Sequence, residues 1–174
     1  MNARCRRCLV GALGLMLTTA ACASDDDQPR SVSTADAYVA AIRWYAASVP
    51  QPDSTAGTVD TGPATVYVAP ADGNAIDAGA QASVISAMAE MEDTIEVIFA
   101  DVRDDAIDIN DENQPVKDEG ALLLVGKVVS GPPPVEVTVE VYRSIDDTES
   151  FHMRIVPAGS DDYTVTAVTQ LEQS

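Results

Sequence analysis

The carboxyl-terminal half of the chain alternates between apolar and polar residues, a pattern typical of β-strands with one buried face. The alternation is cleanest over 135–142, where valine takes every second position up to residue 141. Segments 95–100, 150–156 and 163–171 predict further strands of this kind. Residues 121–129 are apolar at nearly every position, which predicts a central strand buried on both faces.

Two segments in the amino-terminal half show helical spacing instead. The first helix is predicted from about Ala35 to Ser48, with a cap at Ser33 or Thr34. Its apolar stripe consists of Tyr38, Ile42, Tyr45 and Val49. The second helix is predicted over 77–91, after a short strand at 64–69. One side of the second helix carries Gln81, Val84, Ile85, Met88 and Met91.

This order of elements predicts an α+β domain. Two helices pack on a mainly antiparallel, meander-like sheet of about five to six strands. At the level of element order alone, the arrangement resembles the cystatin-like and NTF2-like folds. That resemblance rests on no motif and carries no functional residue over to this chain.

The first residues have the features of an export signal. Three arginines precede an apolar run, 8–21, that is too short to cross the ~30 Å hydrocarbon core of a membrane as a helix. The small residues directly before Cys22 resemble the lipobox of bacterial lipoproteins. In that family the cysteine thiol receives a diacylglycerol and the signal is removed just before it. Thr19 departs from the pattern, which usually has leucine there, and ordinary signal cleavage after Ala21 or Ala23 is the alternative.

The lipobox resemblance implies an organisation for the whole chain. Residues 1–21 are the predicted signal peptide, 22–33 a lipid-anchored flexible tether, and 34–174 a single α+β domain. The other two cysteines lie within the signal, so Cys22 is the cysteine that remains, and lipidation removes a thiol that is a liability outside the cytoplasm. We therefore expect an extracytoplasmic protein of the cell envelope, attached to a membrane by lipid.

The net charge of the chain limits the classes of partner that it can bind. Removal of residues 1–21 takes away three of the ten basic residues and none of the 28 acidic ones, so the net charge falls from −18 to −21. An acidic domain repels phosphate backbones, which argues against nucleic-acid binding. The expected partners are the membrane, through Cys22, and an envelope protein or a small ligand.

Catalytic chemistry has little support in the sequence. The chain has one histidine and none of the common nucleophile, phosphate-binding, dinucleotide or zinc motifs. His152 and Arg154 alternate with Phe151 and Met153, so we expect the polar pair on the exposed face of a strand, near acids such as Glu136. We therefore expect a non-enzymatic binding or interaction module with no catalytic residue, cofactor or metal.

A pocket between helix and sheet is one alternative. Its candidate ligand-binding residues are Trp44, Tyr67, His152 and Arg154. A small NTF2-like pocket enzyme or ligand-binding protein would use His152.

A calcium-dependent interaction module is the second alternative, and it would use the acidic segment 101–119. Positions one, three, five and twelve of an EF-hand-like loop fall on Asp108, Asn110, Glu112 and Glu119. Asn113 stands where that loop needs glycine, and Pro115 interrupts it. A solvated acidic turn explains the same composition.

Overall fold

Two α-helices and six strands form the described part of the chain, which comprises residues 30–48, 65–90, 95–159 and 162–171 of a computed structural model. In chain order these elements are α1 (Thr34–Ser48), β1 (Thr65–Pro70), α2 (Ala78–Ala89), β2 (Glu96–Phe99), β3 (Ala121–Val125), β4 (Val135–Ser144), β5 (Asp147–Pro157) and β6 (Tyr163–Leu171). The strands form one sheet in the order β2-β1-β3-β4-β5-β6. The predicted α+β class is confirmed, with two helices on a mostly antiparallel sheet.

The sheet is mixed, because its first three strands pair in parallel. β1 is parallel to both β2 and β3, whereas β3, β4, β5 and β6 are antiparallel neighbours. A parallel neighbour is reached through a crossover and not through a tight turn, and α2 provides that crossover between β1 and β2. The predicted meander therefore describes β3–β6.

Each helix begins at a side chain that caps it. Before α1, the Asp36 backbone N–H donates to Ser33 Oγ at 3.1 Å, and the Ser33 N–H donates to Asp36 Oδ2 at 3.0 Å. This reciprocal pairing satisfies two backbone donors at the start of the helix. Asp77 accepts hydrogen bonds from the N–H groups of Gly79 and Ala80 at the start of α2.

One face of the sheet and the inner sides of both helices form the larger core. The four valines of β4 are buried there, whereas Glu136 and Thr138 between them are exposed. On β5 the buried residues are Phe151, Met153 and Ile155. This is the strand alternation that the sequence predicts, with the apolar residues towards the helices.

The second face of the sheet carries a smaller core beneath residues 101–119, which we call the covering segment. Tyr67, Leu122 and Tyr142 project from β1, β3 and β4 on this side, and Ile107 and Val116 of the covering segment pack against them. β1 and β3 are buried at every position as a result. The prediction of a central strand buried on both faces is confirmed for β3.

Some predicted positions differ in the structure. Val32, predicted to lie in the tether, is fully buried and forms a β-bridge with Gly131. Ile85 is 49% exposed, because α2 lies at the β2 side of the sheet and buries a narrower face than its apolar stripe suggests. Val129, predicted in the central strand, is 75% exposed beyond the end of β3. Two stripe residues lie outside the described residues: Val49 and Met91.

Neither described helix combines the length and the apolar composition that a membrane span requires.

The core of β4 gives a direct test of the strand assignment. Val139→Asp should lower the free energy of unfolding by ~4 kcal/mol or more, because it places an unpaired carboxylate in a fully buried position. Thr138→Asp, at the exposed neighbouring position, should cost ~1 kcal/mol or less. Urea denaturation of both variants measures the difference, and equal losses would contradict the assignment.

Candidate functional site

His152 and Arg154 lie on the face of β5 that points away from the helices. His152 Nε2 is 3.5 Å from Glu136 Oε2, and Arg154 Nε is 3.8 Å from Glu136 Oε1. The His152 and Arg154 side chains are 39% and 51% exposed, so water screens both contacts and each contributes ~1 kcal/mol or less. Glu140, the next acid along β4, stands opposite Ser150 and is half-buried. The cluster is a polar cross-strand arrangement on an open face.

The sheet separates the two aromatic residues that the sequence suggested for a pocket. Trp44 is half-buried on the helix side, where its ring meets Phe151 edge-on with 5.0 Å between ring centroids. Tyr67 projects from β1 on the opposite face, beneath the covering segment. His152 shares the Tyr67 side of the sheet, because it is adjacent to the inward-facing Phe151. The four candidate residues therefore do not converge on one cavity.

Tyr67 ties β1 to the covering segment. Its hydroxyl donates a hydrogen bond to Asp118 Oδ2 at 2.7 Å. This hydrogen bond, together with burial, raises the pKa of Tyr67 to about 12. Asp118 and Glu119 both have left-handed backbones, with φ of 54° and 53°. Since that region is strained for residues other than glycine, surrounding contacts such as the Tyr67 hydrogen bond must hold the segment there.

Tyr142 attaches the covering segment from the β4 side. The Arg103 guanidinium lies over the Tyr142 ring, 4.2 Å from its centroid. The Tyr142 hydroxyl donates to the carbonyl oxygen of Gln114 at 2.9 Å. Arg103 and the Gln114 carbonyl thus bind the covering segment to β4.

In the segment suggested for calcium, Asp108 of the predicted ligand set and the neighbouring Asp111 take up local backbone contacts. Asp108 accepts a hydrogen bond from the Asn110 N–H at 3.0 Å, and Asp111 accepts one from the Asn113 N–H at 2.8 Å. These are Asx turns, in which a side chain completes its own loop. Within the described ranges, no group of three His, Cys, Asp or Glu side chains is placed to hold a metal ion.

A shallow groove of about 270 Å³ lies between α1, α2 and the start of β6. Asp36, Glu90 and Asp162 contribute carboxylates to it, and Arg43 forms an ion pair with Asp162 across it. None of the four candidate residues lines this groove. Sequence analysis missed it because its side chains come from three elements whose packing the chain order does not disclose.

The outer faces of β5 and β6 and the free edge of β6 remain uncovered by the described residues, and we call this region the open half of the sheet. From Thr164 to Leu171, every residue of β6 is exposed or half-exposed. β6 is the last strand of the sheet, so the peptide groups on the outer side of 164–171 have no partner strand among the described residues. The sequence held a signal for this surface: 163–171 has no charged residue in a strongly acidic chain.

Comparison of the chain with protein-family models, curated proteins and solved structures finds no match. The proposed lipid anchor, Cys22, lies outside the described residues. What the molecule does is therefore inferred from its own residues.

The bond between Tyr67 and Asp118 predicts a pH dependence. Because folding raises the pKa of Tyr67 from 10 to about 12, the stability from this group is fully present below pH 10 and is lost as the pH rises towards 12. Asp118→Asn removes the charge but keeps a residue that tolerates a left-handed backbone, so the pKa of Tyr67 should fall towards 10. Ultraviolet titration of phenolate, read as a difference from Tyr67→Phe, measures this value. An unchanged pKa in Asp118→Asn would show that the hydrogen bond is not its cause.

Proposed function

We propose that this chain is a membrane-anchored, extracytoplasmic lipoprotein whose α+β domain is a non-enzymatic interaction module. The observation that carries the proposal is the open half of the sheet. The covering segment shields the second face over β1, β3 and the Tyr142 end of β4, while the outer faces of β5 and β6 stay in contact with solvent. An open sheet surface ending in an unpaired strand offers both side chains and backbone groups to a partner.

The side chains on the open half are suited to contact with a partner protein. His152, Arg154 and Glu136 form exposed pairs that cost little to rearrange when a partner displaces water. Thr169 stands beside His152 on β6, and its hydroxyl is available as a donor or acceptor. Polar groups of this kind form the rim and the hydrogen bonds of protein interfaces.

The anchor in this proposal is Cys22. Each buried CH₂ of an acyl chain contributes ~0.8 kcal/mol, so several chains on one cysteine hold a protein firmly at a bilayer. The folded domain begins close behind it, because Val32 is already in the core. The partner is therefore sought at or near the membrane surface.

Single cysteines on the domain test the proposal in the full chain. Thr169→Cys places a thiol on the open half, and Ser83→Cys places a matched thiol on the exposed side of α2. In isolated membranes the Thr169→Cys thiol should react with a maleimide several-fold more slowly than after dilution in detergent, because the partner covers it. The Ser83→Cys thiol should react equally in both states. Adding Cys22→Ala should remove the protein from the membrane fraction.

Two results would count against the proposal. If Cys22→Ala protein stays with the membranes at its mature size, the anchor is elsewhere. If Thr169→Cys reacts as fast in membranes as in detergent, the open half is not a contact surface.

A further inference from the structure

β6 has the properties of a strand that pairs with another strand. It runs for nine residues, Tyr163–Leu171, at the end of the sheet. It contains no charged residue and no proline, and β-branched residues dominate it. Monomeric proteins usually protect an edge strand with charged residues, proline, a short strand or a β-bulge, since an unprotected edge strand can pair with a strand of another chain.

The two edges of the sheet differ in this protection. β2, at the other edge, is four residues long and begins with Glu96. β6 has one such device, a shift in its pairing with β5 between Arg154 and Ile155, which leaves Thr166 without a partner in the register. The five residues after it, 167–171, pair regularly with β5, and no other described strand pairs with their outer side. This stretch is the part of β6 that can accept a strand.

The charge of the chain decides which strand fits. A positively charged partner would be expected to bind a strand that carries acidic residues, and β6 carries none. A second copy of this chain carries the same net charge, −21 once residues 1–21 are removed, so two copies can approach closely only where like charges are missing. We infer that β6 pairs antiparallel with β6 of a second copy; this rests on the proposed function and names its partner.

Exposed apolar side chains support the same occupant. Val168 is 37% exposed on the helix side of β6, opposite Met153, and Leu171 is 41% exposed on the open side, opposite Ser150. A second β6 laid against the free edge covers both, because neighbouring strands bring side chains together on each face. A two-fold axis makes the contact self-complementary.

The anchor is compatible with this pairing. The Tyr163 hydroxyl donates to the carbonyl oxygen of Ser31 at 3.3 Å, so the tether enters the domain beside the start of β6. In an antiparallel pair formed by 167–171, the two starts at Tyr163 lie ~40 Å apart, about 12 residues at ~3.3 Å each. The chain from Cys22 to Ser31 spans up to ~30 Å, so both tethers reach one bilayer. Confinement to that surface raises the effective concentration of the two copies.

Cysteine scanning along β6 tests the inference in the membrane-bound full chain. Residues 165–171 are replaced by cysteine one at a time and the membranes are oxidised. In antiparallel two-fold pairing, a residue meets its own copy only next to the axis, where Cα atoms lie within disulfide range. We expect disulfide-linked dimers at one or two adjacent positions, several-fold above both Ser83→Cys and the wild type. The yield should increase with salt, because screening weakens the repulsion between two acidic copies.

A matched pair of charge variants completes the design. Thr169→Glu, or Ala167→Glu where position 169 carries the best crosslinking cysteine, places like charges on the paired strands and should abolish dimers, while Ser83→Glu should leave them unchanged. Thermal melting of both variants checks that the fold is intact.

Four outcomes overturn the inference: no dimer at any position, uniform yield along the strand, equal yields with Thr169→Glu and Ser83→Glu, or an adduct with a mass other than twice that of the chain. Slow maleimide reaction of Thr169→Cys in membranes together with any of these leaves the proposed function standing with a different partner. Fast reaction of the Thr169→Cys thiol in membranes contradicts both the proposed function and the pairing of β6.

Discussion

The structure depends on one constraint, which is that the strands at its centre are apolar on both faces. β1 and β3 bury every residue, so neither face of the sheet can meet water there. The two helices cover one face and the covering segment covers the other. The chain therefore uses an irregular segment where many folds use a second layer of helices.

That role explains the composition of the covering segment. Ile107 and Val116 point into the smaller core, while the carboxylates between them stay in water and close local turns. The covering segment leads into β3 through Gly120, where the Cβ atom of any other residue would lie 2.8 Å from the carbonyl oxygen of Thr65. The cover is bonded to Tyr142 and Arg143 of β4 and to Ile145 in the turn after it, and the outer faces of β5 and β6 lie beyond β4 in the sheet. The same constraint thus divides the second face into a covered half and an open half.

The sequence predicted the elements whose burial follows a short repeat. The valine alternation of β4 and the continuous apolar run of β3 each correspond to one observed strand, and both helices lie within a few residues of their predicted bounds. It did not predict contacts between distant segments. Val32 reads as part of a polar tether, and Ile107 and Val116 are single apolar residues in an acidic run, because periodicity carries no information about isolated buried residues. The placement of Trp44 and Tyr67 on opposite faces likewise depends on the topology of the sheet, which the order of elements leaves open.

Native-state hydrogen exchange tests most directly whether the covering segment is part of the core. The Val116 N–H donates to the carbonyl oxygen of Arg143 at 3.3 Å, and the Lys117 N–H donates to that of Ala106 at 2.9 Å. If covering the second face is required for the fold, these two amides exchange through global unfolding, with the same opening free energy as the amide of Leu123 on β3. Exchange of Val116 and Lys117 by local opening at a much lower free energy, while Leu123 stays protected, would contradict this account.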